Sequence, residues 1–178
     1  MTAQRAPEDA RPDMQARVRW AKPEDAGEIV RLVRALAEYE REPPSIVKMT
    51  EADVLRDGFA EPRRFEAVLG EADGRPVGFA LFFHNYSTWE GRAGLYVEDL
   101  FVEPHARGHG LGRLLMASLA RIAHDRGCRR LDLNVLTWNP TRDFYHRIGL
   151  AHLDEWLPYR MRPDAIAALA KTAPAIEE

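Results

Sequence analysis

The chain has 178 residues and a single cysteine, Cys128. One thiol excludes an intramolecular disulfide framework and fits a reducing, cytoplasmic compartment. Its position at the end of an apolar helical stretch reads as a packed thiol rather than a nucleophile. No apolar run approaches the roughly 20 residues that cross a bilayer. Residues 1–16 are rich in Pro, Ala and charge and lack the apolar core of a signal peptide. They read as a flexible tail ahead of a single domain over 17–178. The formal net charge is only −3, so no basic field points to nucleic acid as a partner. The six histidines contain no H-E-x-x-H, and His105 and His109 form a loop pair without the acidic or cysteine companions of a metal site. There is neither a G-x-S-x-G elbow nor a Gly-Lys-Ser/Thr phosphate loop.

What the chain does have is the stretch Arg107-Gly108-His109-Gly110-Leu111-Gly112. It lies after the apolar run Leu95–Val102 and before a helical pattern with Leu111, Leu114, Leu115, Ser118, Leu119 and Ile122 on one face. A strand therefore feeds a glycine-rich turn that opens a helix. Free N–H groups at a helix start attract anions, glycines let the backbone approach the ligand, and Arg107 adds positive charge. G-x-G-x-x-G fails here, because its last position falls on Arg113 or Leu115. The spacing that fits is R-x-x-G-x-G, through Arg107, Gly110 and Gly112. Taken alone, the same turn is also compatible with glycines serving geometry only.

The remaining pattern alternates strands and helices. Val18–Trp20 predicts a strand, and Lys22-Pro23-Glu24-Asp25 opens a helix carrying Ile29, Leu32, Val33, Leu36 and Ala37. Thr50 is placed to cap a short second helix that stops near Gly58. Phe65–Leu69 and Pro76–Phe83, around Ala72-Asp73-Gly74, predict a hairpin. Next come a polar loop over 85–91, the strand Leu95–Val102, a helix over 111–126, a strand over Leu131–Val135 and a short helix over Thr141–Arg147. Leu150–Leu153 and Trp156–Met161 predict a closing hairpin, and 164–173 a last helix. The fold class is mixed α/β.

The turn is similar to the pyrophosphate motif of GNAT-type N-acetyltransferases, which hold acetyl-CoA. Leu36-Ala37-Glu38-Tyr39-Glu40, Asp57-Gly58-Phe59, Val77–Ala80, Tyr96–Val102, Trp138-Asn139 and Phe144-Tyr145 resemble the diamine (spermidine/spermine) and thialysine branch of that family. The resemblance runs from about Arg17 to Met161. It implies a mostly antiparallel central sheet, flanked by helices and splayed beside the cofactor, and a homodimer. One departure bears on substrate. Polyamine-specific members carry an acid near the tryptophan of the loop before the central strand, whereas this loop reads Tyr86-Ser87-Thr88-Trp89. Ser87 resembles the relatives that prefer thialysine.

The implied chemistry is direct acetyl transfer to a primary amine. An ammonium with a pKa near ~10.4 is almost wholly protonated at pH 7, a cost of roughly 4–5 kcal/mol. Glu98 is expected to attract the ammonium and accept its proton. In a regular strand Asp99 points the other way, and adjacent carboxylates are commonly just solvated. Backbone groups of Leu100, Phe101 and Val102 are expected to bond the pantetheine as a strand would. Arg107, Gly108, His109, Gly110, Leu111, Gly112 and Arg113 form the pyrophosphate turn. Asn134 and Asn139 are further cofactor candidates, Asn139 also as a helix cap. By family position Tyr145 is the general acid toward the departing thiolate; read alone, Phe144-Tyr145 is one core and one half-exposed aromatic. Tyr39 and Glu40 are placed over the amine site, although Glu40 unaided is a surface acid. Trp89 either walls the channel or packs under its loop. Two other readings stay open: acetylation of a protein lysine or N-terminus, and a non-catalytic acyl-CoA-binding module.

Overall fold

A five-stranded sheet in the order β1-β2-β3-β4-β5 carries the structure. The computed structural model describes residues 15–174. The strands are β1 (Ala16–Trp20), β2 (Glu66–Ala72), β3 (Arg75–Ser87), β4 (Arg92–Val102) and β5 (Leu131–Leu133). The first four are antiparallel neighbours, and β5 joins β4 in parallel. The helices are α1 (Ala26–Tyr39), α2 (Glu51–Val54, continued as a π-turn over Leu55–Phe59), α3 (Leu111–Asp125), α4 (Arg142–Arg147) and α5 (Pro163–Ala170). The chain divides into two compact units, one ending at Asn139 and the other beginning at Pro140.

In the first unit the sheet is covered on both faces. Ile29, Val30 and Leu32 of α1 pack on Leu69, Phe79, Leu81 and Phe101. On the other face Leu111 packs with Val77 and Ala106, against Val18 and Val102. The α1 start is fixed by Asp25, whose carboxylate accepts the Lys22 N–H at 2.8 Å and the Arg19 guanidinium at 2.6 and 2.9 Å. Arg19 and Arg17 also hold the buried Glu71. Burial by itself would raise the Glu71 carboxyl, and these two guanidiniums outweigh it and hold the group low. Thr50 caps α2 as the sequence predicts, accepting the Asp53 N–H at 3.2 Å.

Four expectations are corrected. The α3 core face is Leu111, Leu115, Met116, Leu119 and Ala123, while Leu114 is exposed. The expected stripe lies too far around the helix, because Leu114 and Ile122 border an open groove with Val18 and Trp20 instead. The loop over 85–91 shrinks, since β3 runs on to Ser87. Residues 151–162 contain no strand and are all exposed. Apolar alternation over so short a stretch does not by itself make strands. Ala16, the end of the expected tail, is the first residue of β1; residues 1–14 lie outside the described residues.

Candidate active site

β4 and β5 pair over only three positions, Leu95–Val97 against Leu131–Leu133. β4 then continues to Val102 with β3 as its partner. The edge of β4 that faced β5 is released at this point, which is the splay that the family resemblance implies. The irregularity begins one residue further on. Leu81 lies opposite Asp99 and Phe82 opposite Val97, leaving Glu98 as the extra residue of a β-bulge. Leu81 belongs to the core under α1, so its cross-strand partner Asp99 shares the α1 face. The ladder is regular from Val102 back to Asp99, so Asp99 lies on the same face as Phe101, and the irregularity falls on Glu98.

Three carboxylates interact at this point. Glu98 is exposed, and Asp99 is half-buried. Burial, then Glu98, then Glu40 from the end of α1 push the Asp99 carboxyl up to about 7. Glu40 is itself raised, by burial and by Glu42. Asp99 is the residue that sequence reasoning undervalues. Its two-residue spacing from Phe101 puts it on the α1 face, and what local sequence does not carry is the approach of Glu40 from the end of α1.

The turn after β4 forms as expected. Pro104–Ala106 make a short 3-10 turn, and Gly108 and Gly110 take φ of +87° and +81°. These values are open to glycine and strained for other residues. Gly110 is the N-cap of α3 and no side chain caps that end. The N–H groups of Leu111, Gly112 and Arg113 therefore have no partner within the helix. Leu111 points its side chain into the core, so its contribution to an anion is through the backbone. Gly108, Gly110 and Arg113 are exposed, and His109 is half-buried. An uncapped helix of 15 residues, two glycines at positive φ and an arginine fit a bound pyrophosphate.

Arg107 itself is tied down. Its Nε donates to the Val102 carbonyl at 2.8 Å, and its guanidinium carbon lies 4.1 Å from the Tyr39 ring centroid and 5.6 Å from that of Phe101. Tyr39 Oη donates to Asn139 Oδ1 at 3.3 Å. Asn139 is buried, and Thr141 directly precedes α4. Asn134 is exposed directly after β5. Leu100 and Val102 are half-buried and Phe101 is core. Ser87 is buried, and its Oγ accepts the Glu90 N–H at 3.2 Å, so its hydroxyl serves the β3–β4 turn. Trp89 is highly exposed at the tip of that hairpin. Tyr145 lies in the second unit on α4, beside the Phe144 ring at 5.3 Å. His105 faces Glu103 at 4.0 Å.

The acetyltransferase (GNAT) family model matches residues 29–150, most of the chain and across both units. The chain belongs to the GNAT acetyltransferase family. It is 39% identical over 165 residues to a thialysine N-epsilon-acetyltransferase of Bos taurus, covering 86% of this chain and 96% of that one. It is 29% identical to the human spermidine/spermine N(1)-acetyltransferase-like protein 1, covering 86% of this chain but 23% of that protein. A solved integron cassette protein from the V. cholerae mobile metagenome superposes with a TM-score of 0.73 at 27% identity, covering 89% of this chain and 99% of that one. This GNAT chain is thus an N-acetyltransferase by family and an open mixed sheet by fold. Among its described residues no helix is long and apolar enough to cross a membrane.

Proposed function

We propose that this enzyme transfers the acetyl group of acetyl-CoA to a primary amine of a small cationic substrate, with a thialysine-like amino acid as the leading acceptor and diamines or polyamines as the alternatives. The observation that carries the reading is the carboxylate set Glu40, Glu98 and Asp99, where the end of α1 meets the β4 bulge ahead of a turn suited to pyrophosphate. The similarity to thialysine acetyltransferases over 86% of the chain favours that acceptor, as does Ser87 in the hairpin.

Acetyl-CoA supplies the thioester. The backbone of Leu100–Val102 and the Arg107–Arg113 turn hold it, with Asn134 and Asn139 alongside. Tyr39, Glu40, Ser87 and Trp89 frame the amine. Glu98, exposed on the bulge, meets the ammonium, and the ammonium proton passes to Asp99, whose carboxyl sits near neutrality. A carboxylate at its ordinary pKa would be a weak base for this step. The freed lone pair attacks the thioester carbon, the C–S bond breaks, and Tyr145 protonates the departing thiolate. No covalent enzyme intermediate is required, because alignment of two bound substrates supplies much of the rate.

A homodimer belongs to the same reading. Leu153, Trp156, Leu157, Tyr159 and Met161 are exposed in one short stretch that carries no strand, and a second copy of the chain would cover them. Light scattering is expected to give twice the chain mass of 20.3 kDa. The lone free thiol supports a cytoplasmic setting.

The test is coenzyme A release from acetyl-CoA across thialysine, lysine, spermidine, spermine, short diamines and a lysine peptide. Turnover at least ten-fold faster with one small amine than with the peptide supports the proposal. Fastest turnover with the peptide would favour a protein acetyltransferase, and acetyl-CoA binding with no turnover would favour a binding module.

A further inference from the structure

We propose that the C-terminal end of α1 is a clasp that couples the coenzyme A turn to the amine end of the site, with Tyr39, Arg41 and Arg107 as its positioning residues. The inference rests on the reading of the Arg107–Gly112 turn as the pyrophosphate seat. It reassigns Arg107, because the guanidinium is held by the protein rather than presented as a loose charge.

The geometry is a bridge over the splay. Past Val97 and Leu133, β4 and β5 no longer pair. The end of α1 makes contacts on both sides of the gap that opens there. Toward β4, the Tyr39 ring lies under the Arg107 guanidinium at 4.1 Å and 6.1 Å from the Phe101 ring. Toward the segment after β5, Tyr39 Oη donates to Asn139 Oδ1 at 3.3 Å, and the Arg41 guanidinium carbon lies 4.0 Å from the Trp138 ring centroid. One helix end thus holds both lips of the gap in which the pantetheine arm runs.

Two details show that this end is shaped for the contact. Arg107 spends Nε on the Val102 carbonyl and one face on Tyr39, and its terminal nitrogens make no other hydrogen bond among the described residues. An anion on the turn takes those nitrogens without breaking the stack. Seating it therefore stiffens Tyr39 and, through the helix end, its neighbour Glu40. Arg41 is the second detail. The Glu42 N–H bonds the Ala37 carbonyl at 2.9 Å and the Arg41 N–H bonds the Glu38 carbonyl at 3.0 Å, a Schellman ending with Arg41 at φ +66°. Glycine is the unstrained residue at that position. Arginine there accepts backbone strain and in return stacks on Trp138.

Calorimetry with coenzyme A alone, and steady-state kinetics with thialysine at saturating acetyl-CoA, test the clasp. Tyr39→Leu is expected to weaken coenzyme A binding at least five-fold. Tyr39→Phe keeps the ring over Arg107, so coenzyme A affinity returns to within two-fold of wild type, while the lost bond to Asn139 raises the thialysine KM at least three-fold. Arg41→Gly melts no lower than wild type and still raises that KM, a separation a purely structural residue does not produce. Tyr39→Leu combined with Arg107→Gln loses no more coenzyme A affinity than Arg107→Gln alone. Wild-type coenzyme A affinity in Tyr39→Leu beside a weakened Arg107→Gln would overturn the clasp, as would an unchanged thialysine KM in Arg41→Gly. Wild-type protein that fails to bind coenzyme A at all defeats the functional reading beneath it.

Discussion

Asp99 lies opposite Leu81 in the β3–β4 ladder, on the face that α1 covers, and Glu98 is looped out of register between it and Val97. Burial and the carboxylates of Glu98 and Glu40 then raise the Asp99 carboxyl to about 7. As proton acceptor Asp99 must be ionised, so kcat with a fully protonated amine is expected to rise ten-fold per pH unit below about 7 and to level off above it. Glu98→Gln removes a like charge and moves that limb to lower pH, with a higher amine KM. A wild-type profile flat from pH 5.5 to 8.5 contradicts the assignment.

The same shift has a consequence for stability, measurable without substrate. The folded Asp99 pKa lies above the ordinary value of 3.8, so its contribution is fully present below that value and is lost as pH rises through about 7. Asp99→Asn escapes that loss. Relative to wild type it is expected to gain up to about 4 kcal/mol between pH 4 and pH 8. Urea midpoints at the two pH values give the comparison; an equal difference at both would show that Asp99 is not raised.

Tyr145→Phe removes a proton and leaves the ring beside Phe144 in place. Its kcat is expected to fall about 100-fold, with coenzyme A affinity within two-fold of wild type. Equal losses in both would make Tyr145 a packing residue.

Gly110 has φ +81° and open space where a Cβ would go. Gly110→Ala therefore meets strain without a clash, and a stability loss of about 1–2 kcal/mol is expected. Gly110→Asn, whose side chain tolerates this region better, should lose less. If alanine proved neutral in thermal denaturation, the left-handed N-cap would not be needed.

Local signals in the sequence made much of this legible. The spacing of Ile29, Leu32 and Leu36 marked α1, Thr50 marked the cap of α2, and the glycines after an apolar strand marked the turn and α3. The features that escaped depend on pairing or distance. A one-residue bulge at Glu98 leaves no trace in alternation, since it exists only relative to β3. The Tyr39–Asn139 bond joins residues 100 positions apart. Leu114 satisfies the same helical spacing as Leu115 yet borders an open groove, because the area that β1 leaves uncovered is decided by tertiary packing. The stretch after α4 has the apolar content of strands, but strands also need a pairing partner, which alternation alone does not supply.

The most direct test of the central claim is a single reaction of wild-type protein with acetyl-CoA and thialysine at pH 8, monitored by thiol release and by mass. The account predicts stoichiometric coenzyme A and a product heavier by one acetyl group on the side-chain amine. Hydrolysis of acetyl-CoA at the same rate with and without amine, and no acetylated product, would contradict it.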